Sequence, residues 1–222
     1  YDETGKRYID AIASWWVNIH GHCHPYLATK ISEQLQRLEH AIFSGFTHEP
    51  AVQLAERLLK RLPSNQSKIF YSDNGSTAVE VALKMAFQYW SNQSIEKVKV
   101  IAFENAYHGD TFGGMSVGAR NAFNMPFSKL LFDVEHIPVP VKGKESSTAL
   151  KRALEGNDVG AFIFEPLVQG AGGMVMYSPG ILDELISLCN AKKVLCIADE
   201  VMTGFGRTGK FFASDYLKHK PD

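Results

Sequence analysis

Val194-Leu195-Cys196-Ile197-Ala198-Asp199-Glu200 is the stretch that decides the fold. An apolar run that stops abruptly at a carboxylate reads as a buried strand delivering charge at its C-terminal end. A buried carboxylate is expensive unless a positive group meets it. Two such groups suit Asp199: the protonated ring nitrogen of a heteroaromatic cofactor, or Mg²⁺ in a nucleotide hydrolase.

The second choice draws support from Gly204-Phe205-Gly206-Arg207-Thr208-Gly209-Lys210, which satisfies GxGxxG and matches a Walker A loop up to Gly209-Lys210. Three features count against it. Walker A needs Ser or Thr after its lysine to hold Mg²⁺, and Phe211 stands there. Both glycine motifs follow a strand and open a helix, whereas this one follows Glu200-Val201-Met202-Thr203 and leads into Phe211-Phe212. In nucleotide hydrolases the phosphate loop also precedes the acidic strand, and here it follows. Neither a phosphate-loop nor a dinucleotide fold is expected.

With 45% hydrophobic and 21% charged residues among 222, the chain has the material for one large core. A net charge of −1 provides no basic stripe, so neither nucleic acid nor an anionic membrane is an expected partner. No apolar run approaches the roughly 20 residues that span a bilayer, and none reads as a signal peptide. Cys23, Cys189 and Cys196 lack paired spacing and read as reduced thiols of a cytoplasmic protein. The opening Tyr1-Asp2-Glu3-Thr4-Gly5-Lys6-Arg7-Tyr8-Ile9 carries a hairpin signature around Gly5. Lys218-His219-Lys220-Pro221-Asp222 has the character of a linker before another strand. An internal piece of a longer protein is therefore expected.

Pro25 suits the first turn of a helix to about Leu38, with Leu27, Ile31, Leu35 and Leu38 as an apolar stripe. Glu49-Pro50 leads into a second helix. From there strands are expected at Lys68–Ser72, Val98–Phe103, Ala161–Phe164 and Val194–Ala198. Helices are expected at Thr77–Trp90, Thr148–Leu154 and Ile181–Ala191. This alternation argues for a mainly parallel α/β sheet.

Ligands of such sheets bind beyond the carboxyl ends of the strands. Four polar motifs stand at four expected strand ends: Ser72–Thr77, Glu104–Asp110, Glu165-Pro166 with Gln169–Gly173, and Asp199-Glu200. In Gly75-Ser76-Thr77, Thr77 and Glu80 have capping-box spacing. Free N–H groups, the helix dipole and the Ser76 hydroxyl make an anion site there. A plain helix cap is the simpler alternative, but Asp199, available for the far end of the same ligand, favours phosphate. Tyr107 precedes the tight bend allowed by Gly109, and its face either lies against a flat ring or packs on the loop. Asp110 orients a neighbour or caps the next turn. His20-Gly21-His22-Cys23-His24 looks like a metal cluster, yet no second ligand pair appears, and a turn before the Pro25 helix is expected instead. Trp15-Trp16 splits either between core and interface or gives one ring to a substrate pocket.

Together these residues resemble the fold-type-I pyridoxal phosphate (PLP) enzymes of aminotransferase class III, across essentially the whole chain. The discriminating pieces are Ser14-Trp15-Trp16, Tyr107-His108-Gly109-Asp110-Thr111-Phe112-Gly113, Gln169-Gly170-Ala171-Gly172-Gly173-Met174 and Gly204–Gly209. The resemblance implies an α/β fold-type-I PLP-transferase with a mainly parallel sheet, incomplete in this chain. Residues 1–48, hairpin and helix, would belong to its small domain, and 49–222 to an incomplete large PLP-binding domain.

Carried over by position, Gly75 and Ser76 hold the cofactor phosphate and Asp199 pairs with the ring nitrogen. Tyr107 stacks on the ring and borders the substrate, with Asp110 close behind, and Glu165 supports that region. Trp15 lines the substrate pocket. Arg207 matches a family arginine near the active site, either on substrate or in a structural salt bridge. No metal is implied. No catalytic residue falls within the chain: the Schiff-base lysine is expected beyond Asp222, and Lys218 and Lys220 do not replace it. Within the class, the resemblance points to the branch serving biotin synthesis. Its amino donor is S-adenosylmethionine and its acceptor 8-amino-7-oxononanoate, which becomes 7,8-diaminononanoate. A homodimer is implied, because fold-type-I sites are built at a dimer interface. Another class III aminotransferase, using ornithine, 4-aminobutyrate or another ω-amino acid, and a non-catalytic PLP-fold fragment are the alternatives.

Overall fold

A computed structural model describes residues 1–141 and 145–222. They divide into two compact units, Tyr1–Lys60 and Arg61–Asp222.

The first unit carries α1 (Ala13–Trp16), α2 (Pro25–Arg37) and α3 (Glu49–Leu59). Pro25 and Pro50 occupy the first turns of their helices, where a missing N–H leaves no bond unmade. The stripe of Leu27, Ile31 and Leu35 is present on α2 and exposed in this unit. α1 is a left-handed turn: φ is 49° at Ala13, 49° at Ser14, 56° at Trp15 and 69° at Trp16. Each such non-glycine residue costs about 1–2 kcal/mol, because Cβ crowds the following carbonyl. The expected N-terminal hairpin is only a turn. Its reason is local: the Asp2 carboxylate accepts the Thr4 and Lys6 N–H groups at 2.9 and 3.1 Å, so a side chain holds the bend.

In the second unit, α4 (Gly75–Asn92) precedes β1 (Lys99–Phe103), α5 (Phe112–Val117), β2 (Val134–Ile137), α6 (Glu145–Ala153) and β3 (Val159–Phe164). A hairpin of β4 (Val168–Gln169) and β5 (Val175–Met176), then α7 (Pro179–Ala191) and β6 (Leu195–Ala198), complete it. Four strands form a parallel sheet in the order β2-β1-β3-β6. Alternation along β1 sends Ile101 and Phe103 to one face and Val100 and Ala102 to the other. The first pair packs with Phe162, Phe164, Leu150 of α6 and Leu182, Leu185 and Ile186 of α7. The second packs with Ile163 and with Val79 and Leu83 of α4. β3, between two helical layers, is buried at every residue. Trp90 pins α4 to this strand through its indole N–H on the Gly160 carbonyl at 2.9 Å.

Two expectations need correction here. Lys68–Ser72 is not a strand, since it joins no ladder among the described residues. Thr77 is not the cap of α4. Asn74, with φ −161°, takes that place: its Oδ1 accepts the Thr77 N–H at 3.0 Å, and the Thr77 hydroxyl accepts the Asn74 N–H at 3.2 Å. Glu80 is turned away from the cap by the Thr111 hydroxyl and the Gly113 N–H, which donate to it at 2.6 and 2.9 Å. Strand β2, helix α5 and the β4–β5 hairpin are elements that the sequence pattern did not foretell.

Candidate functional site

The loop that follows β1 gathers the ends of three other elements. Asp199 extends β6 by one residue, its N–H on the Phe164 carbonyl at 2.8 Å, so the backbone of the sheet aims its carboxylate. Oδ1 accepts the Val201 N–H at 3.1 Å, and Oδ2 lies 2.7 Å from His108 Nδ1. The side chains are 7% and 0% exposed respectively. Among the described residues, His108 Nε2 is buried with no partner. A proton on Nε2 would leave an orphaned N–H, at about 1–3 kcal/mol. The tautomer with its proton on Nδ1 avoids this and lets His108 donate to Asp199.

Tyr107 is 40% exposed. Its hydroxyl donates to Asp110 Oδ2 at 2.8 Å. Burial, then the hydrogen bond and charge of Asp110, push the phenol up to about 12, so it stays neutral. Its backbone N–H donates to Glu165 Oε1 at 3.4 Å, while Glu165 Oε2 accepts the Gly170 N–H at 2.8 Å. The Glu165 carbonyl accepts the Tyr177 hydroxyl. Burial raises the Glu165 carboxyl against the Gly170 N–H that opposes it. With both oxygens engaged, Glu165 acts as a strut between Tyr107 and the β4–β5 hairpin.

At the start of α4, the Thr77 and Ala78 N–H groups are satisfied by Asn74 at 3.0 Å each. Those of Gly75 and Ser76 meet no acceptor among the described residues. Ser76 Oγ accepts the Asp110 N–H at 3.1 Å, which leaves the hydroxyl proton free to donate outward. Two N–H groups and one O–H at a helix N-terminus form an anion cradle. Gly109, at φ +106°, is what lets the loop lie on it, for a Cβ there would fall 2.4 Å from Ser76 Oγ. Gly75 is close-set to a lesser degree: its Cβ would meet a Val201 methyl at 3.0 Å, so the chain just past Asp199 borders the cradle. One ligand with an anionic end and a basic ring suits this donor and acceptor set.

The expected residues Ser76, Asp110, Tyr107 and Glu165 thus share one hydrogen-bonded network, Asp199 joins the same loop through His108, and Gly75 stands beside Ser76 in the cradle. Arg207 lies in the loop after β6, its N–H on the Gly204 carbonyl at 3.4 Å. Glu200 closes that loop by accepting the Ala213 and Ser214 N–H groups at 2.7 and 2.9 Å. Trp15 belongs to the first unit, where its side chain is exposed. Sequence reasoning gave no role to His108 or Asn74, and it placed Glu80 in a helix cap instead of on Thr111 and Gly113. His108 had one signal, its place between Tyr107 and the obligatory Gly109. Among the described residues, no group of three His, Cys, Asp or Glu could hold a metal ion, and no helix is long and apolar enough to cross a membrane.

The sequence profile of the aminotransferase class-III family matches residues 1–222. The adenosylmethionine-8-amino-7-oxononanoate aminotransferase of Synechococcus elongatus is 54% identical over 98% of this chain and 54% of its own length. Its namesake from Geobacter sulfurreducens is 45% identical over 100% of this chain and 52% of its own. The crystal structure of the Methanocaldococcus jannaschii protein of that name superposes with a TM-score of 0.90 at 36% identity, covering 96% of this chain and 49% of that one. The chain spans about half the length of the curated relatives it matches.

Proposed function

We propose a function from one premise: this chain belongs to the aminotransferase class-III family. In the whole protein, these residues hold pyridoxal 5′-phosphate. They serve transfer of the amino group of S-adenosylmethionine to 8-amino-7-oxononanoate, giving 7,8-diaminononanoate for biotin synthesis. The observation that carries this is a single loop, Tyr107–Asp110, bonded at one side to the anion cradle through Ser76 and at the other to the buried Asp199.

When bound, the cofactor supplies an electron sink for charge developing on the carbon that bears the amino group. Gly75, Ser76 and the helix dipole bind its phosphate. Asp199, oriented by the His108 and Val201 donors, pairs with the ring nitrogen. The neutral Tyr107 ring covers a ring face, and Asp110 fixes the direction of its hydroxyl. Trp15 and Tyr107 wall the acceptor pocket, with Arg207 nearby. The lysine that moves the proton lies beyond Asp222. Lys220 is engaged elsewhere, its ammonium on the Ser214 and Leu217 carbonyls at 3.1 and 2.6 Å. Residues 1–48 belong to the small domain and 49–222 to the large one, in a cytoplasmic homodimer.

The test is a donor panel on the full-length protein. S-adenosylmethionine, ornithine and 4-aminobutyrate are each supplied with 8-amino-7-oxononanoate, and diamine formation is followed. Adenosylmethionine is expected to be the fastest donor. Faster turnover with either ω-amino acid keeps the family and overturns the biotin-pathway assignment.

A further inference from the structure

The left-handed turn Ala13–Trp16 contains no glycine, and each of its residues is disfavoured in that conformation. Such a segment persists only where its surroundings over-determine it. Part of the restraint is backbone: Trp16 N–H donates to the Ile12 carbonyl at 2.9 Å and Asn18 N–H to the Ala13 carbonyl at 3.0 Å. The rest converges on one carboxylate oxygen. Asp10 Oδ2 accepts the Ser14 hydroxyl at 2.8 Å and faces His22 Nε2 at 2.8 Å. The other ring nitrogen of His22 lies 3.4 Å from the Asn18 amide nitrogen. Asp10 thereby ties a residue inside the turn to one well past it. The Ser14 bond, and then His22, hold its carboxyl at about 2, so it is ionised throughout the neutral range. His22, which the sequence presents as part of a histidine cluster, has its ring in this clamp. The residue that the turn displays is Trp15, 72% exposed.

We infer that Asp10 is a positioning residue for substrate selection: its carboxylate, bridging Ser14 and His22, holds the left-handed turn that presents the Trp15 indole to the acceptor. The selection half rests on the proposal that Trp15 walls the acceptor pocket; the clamp rests on the bonds themselves.

The experiment uses the full-length holoenzyme labelled with 5-fluorotryptophan, the Trp15 signal being assigned through Trp15→Phe. In Asp10→Ala the Trp15 resonance shifts and broadens, while that of the buried Trp90 stays in place. KM for 8-amino-7-oxononanoate rises ~10-fold, the scale of losing an apolar aromatic wall. The cofactor absorbance and kcat stay within about twofold of wild type, since binding rather than chemistry is disturbed. Adding Ala13→Gly to Asp10→Ala returns KM toward wild type, because glycine adopts the left-handed region without a Cβ penalty. A generalised structural collapse would not be rescued in this way. An unchanged Trp15 resonance in Asp10→Ala overturns the clamp, whatever KM does. A resonance that moves while Trp15→Ala leaves KM at the wild-type value overturns the role in selection and locates the fault in the pocket assignment. A raised KM in Trp15→Ala but not in Asp10→Ala overturns the positioning role alone. Should Asp10→Ala not fold, Asp10→Asn and His22→Ala each remove one arm of the clamp and are held to the same readings.

Discussion

Replacing Gly109 by alanine tests whether the Tyr107–Asp110 loop must rest on the first turn of α4. The added Cβ would lie 2.4 Å from Ser76 Oγ and 2.7 Å from Ser76 Cα. Rotating Ser76 clears the hydroxyl but not the Cα, so the loop has to lift by about 1 Å to restore carbon–carbon contact. Two effects add. An L residue at φ +106° costs roughly 1–3 kcal/mol. Overpacking adds roughly 1–3 kcal/mol, for about 2–6 kcal/mol together. Gly173 separates them, because it has φ +103° but nothing within 4 Å of its Cβ position. Lifting the loop also breaks the 3.1 Å bond from Asp110 N–H that aims the Ser76 hydroxyl. In the full-length protein, Gly109→Ala is expected to weaken PLP binding by at least ~10-fold, or about 1.4 kcal/mol. It should also lower Tm further than Gly173→Ala does. Absorbance titration with PLP and thermal melts of both variants give the comparison. Wild-type PLP affinity, in a variant no less stable than Gly173→Ala, would refute the idea that this contact shapes the cradle.

Asp199→Asn keeps the side chain's shape without its charge; kcat of the full-length enzyme should fall at least ~10²-fold while PLP still binds. Near-normal turnover would remove Asp199 from the ring nitrogen. The Tyr107 phenol, raised from 10.0 to about 12, holds its proton more tightly folded than unfolded. Its stabilising contribution is present below pH 10 and lost as pH rises toward 12. Tyr107→Phe should flatten that part of the alkaline stability profile in urea melts, and an unchanged profile counts against it. Lys97→Met strips the ammonium that donates to the Lys192 and Lys193 carbonyls at 2.9 and 3.0 Å. A loss of about 1–3 kcal/mol is expected from those unpaired carbonyls, read as a lower urea midpoint at constant slope; no shift in the midpoint contradicts it.

The sheet is legible wherever a strand is buried on both faces, as at Lys99–Phe103 and Val159–Phe164, because such strands are written as apolar runs. Val134-Glu135-His136-Ile137 escapes this test. Its two polar residues are satisfied by an ion pair from Glu135 to Lys99 and by the Val117 and Gly118 carbonyls near His136, none of which the local pattern announces. Helix α5 hides behind Gly113 and Gly114, poor helix formers that its close packing on Glu80 and the His108 carbonyl demands. Lys68–Ser72 shows the converse: strand composition states what a segment can bury, not which neighbour completes its ladder. At the site, Ser76, Tyr107 and Asp199 stand out by their positions at element ends. The bonds joining them are invisible to any window, since Ser76 meets Asp110 across 34 residues and His108 meets Asp199 across 91.

Those long separations set the order in which the molecule can be made. The ties of the Tyr107–Gly113 loop to Glu80, Glu165 and Asp199 close rings of 31, 58 and 91 residues. Ring closure grows costlier with length, whereas α4 needs only its own neighbours to form. On a ribosome, Asp199 emerges more than a hundred residues after Ser76. At about 5–20 residues per second, that is roughly 6–25 s of synthesis. For that interval Ser76 exists without its counterpart, and His108, once made, has no carboxylate to meet. A cofactor that requires both ends finds its place only after β6 has been translated and has docked beside β3.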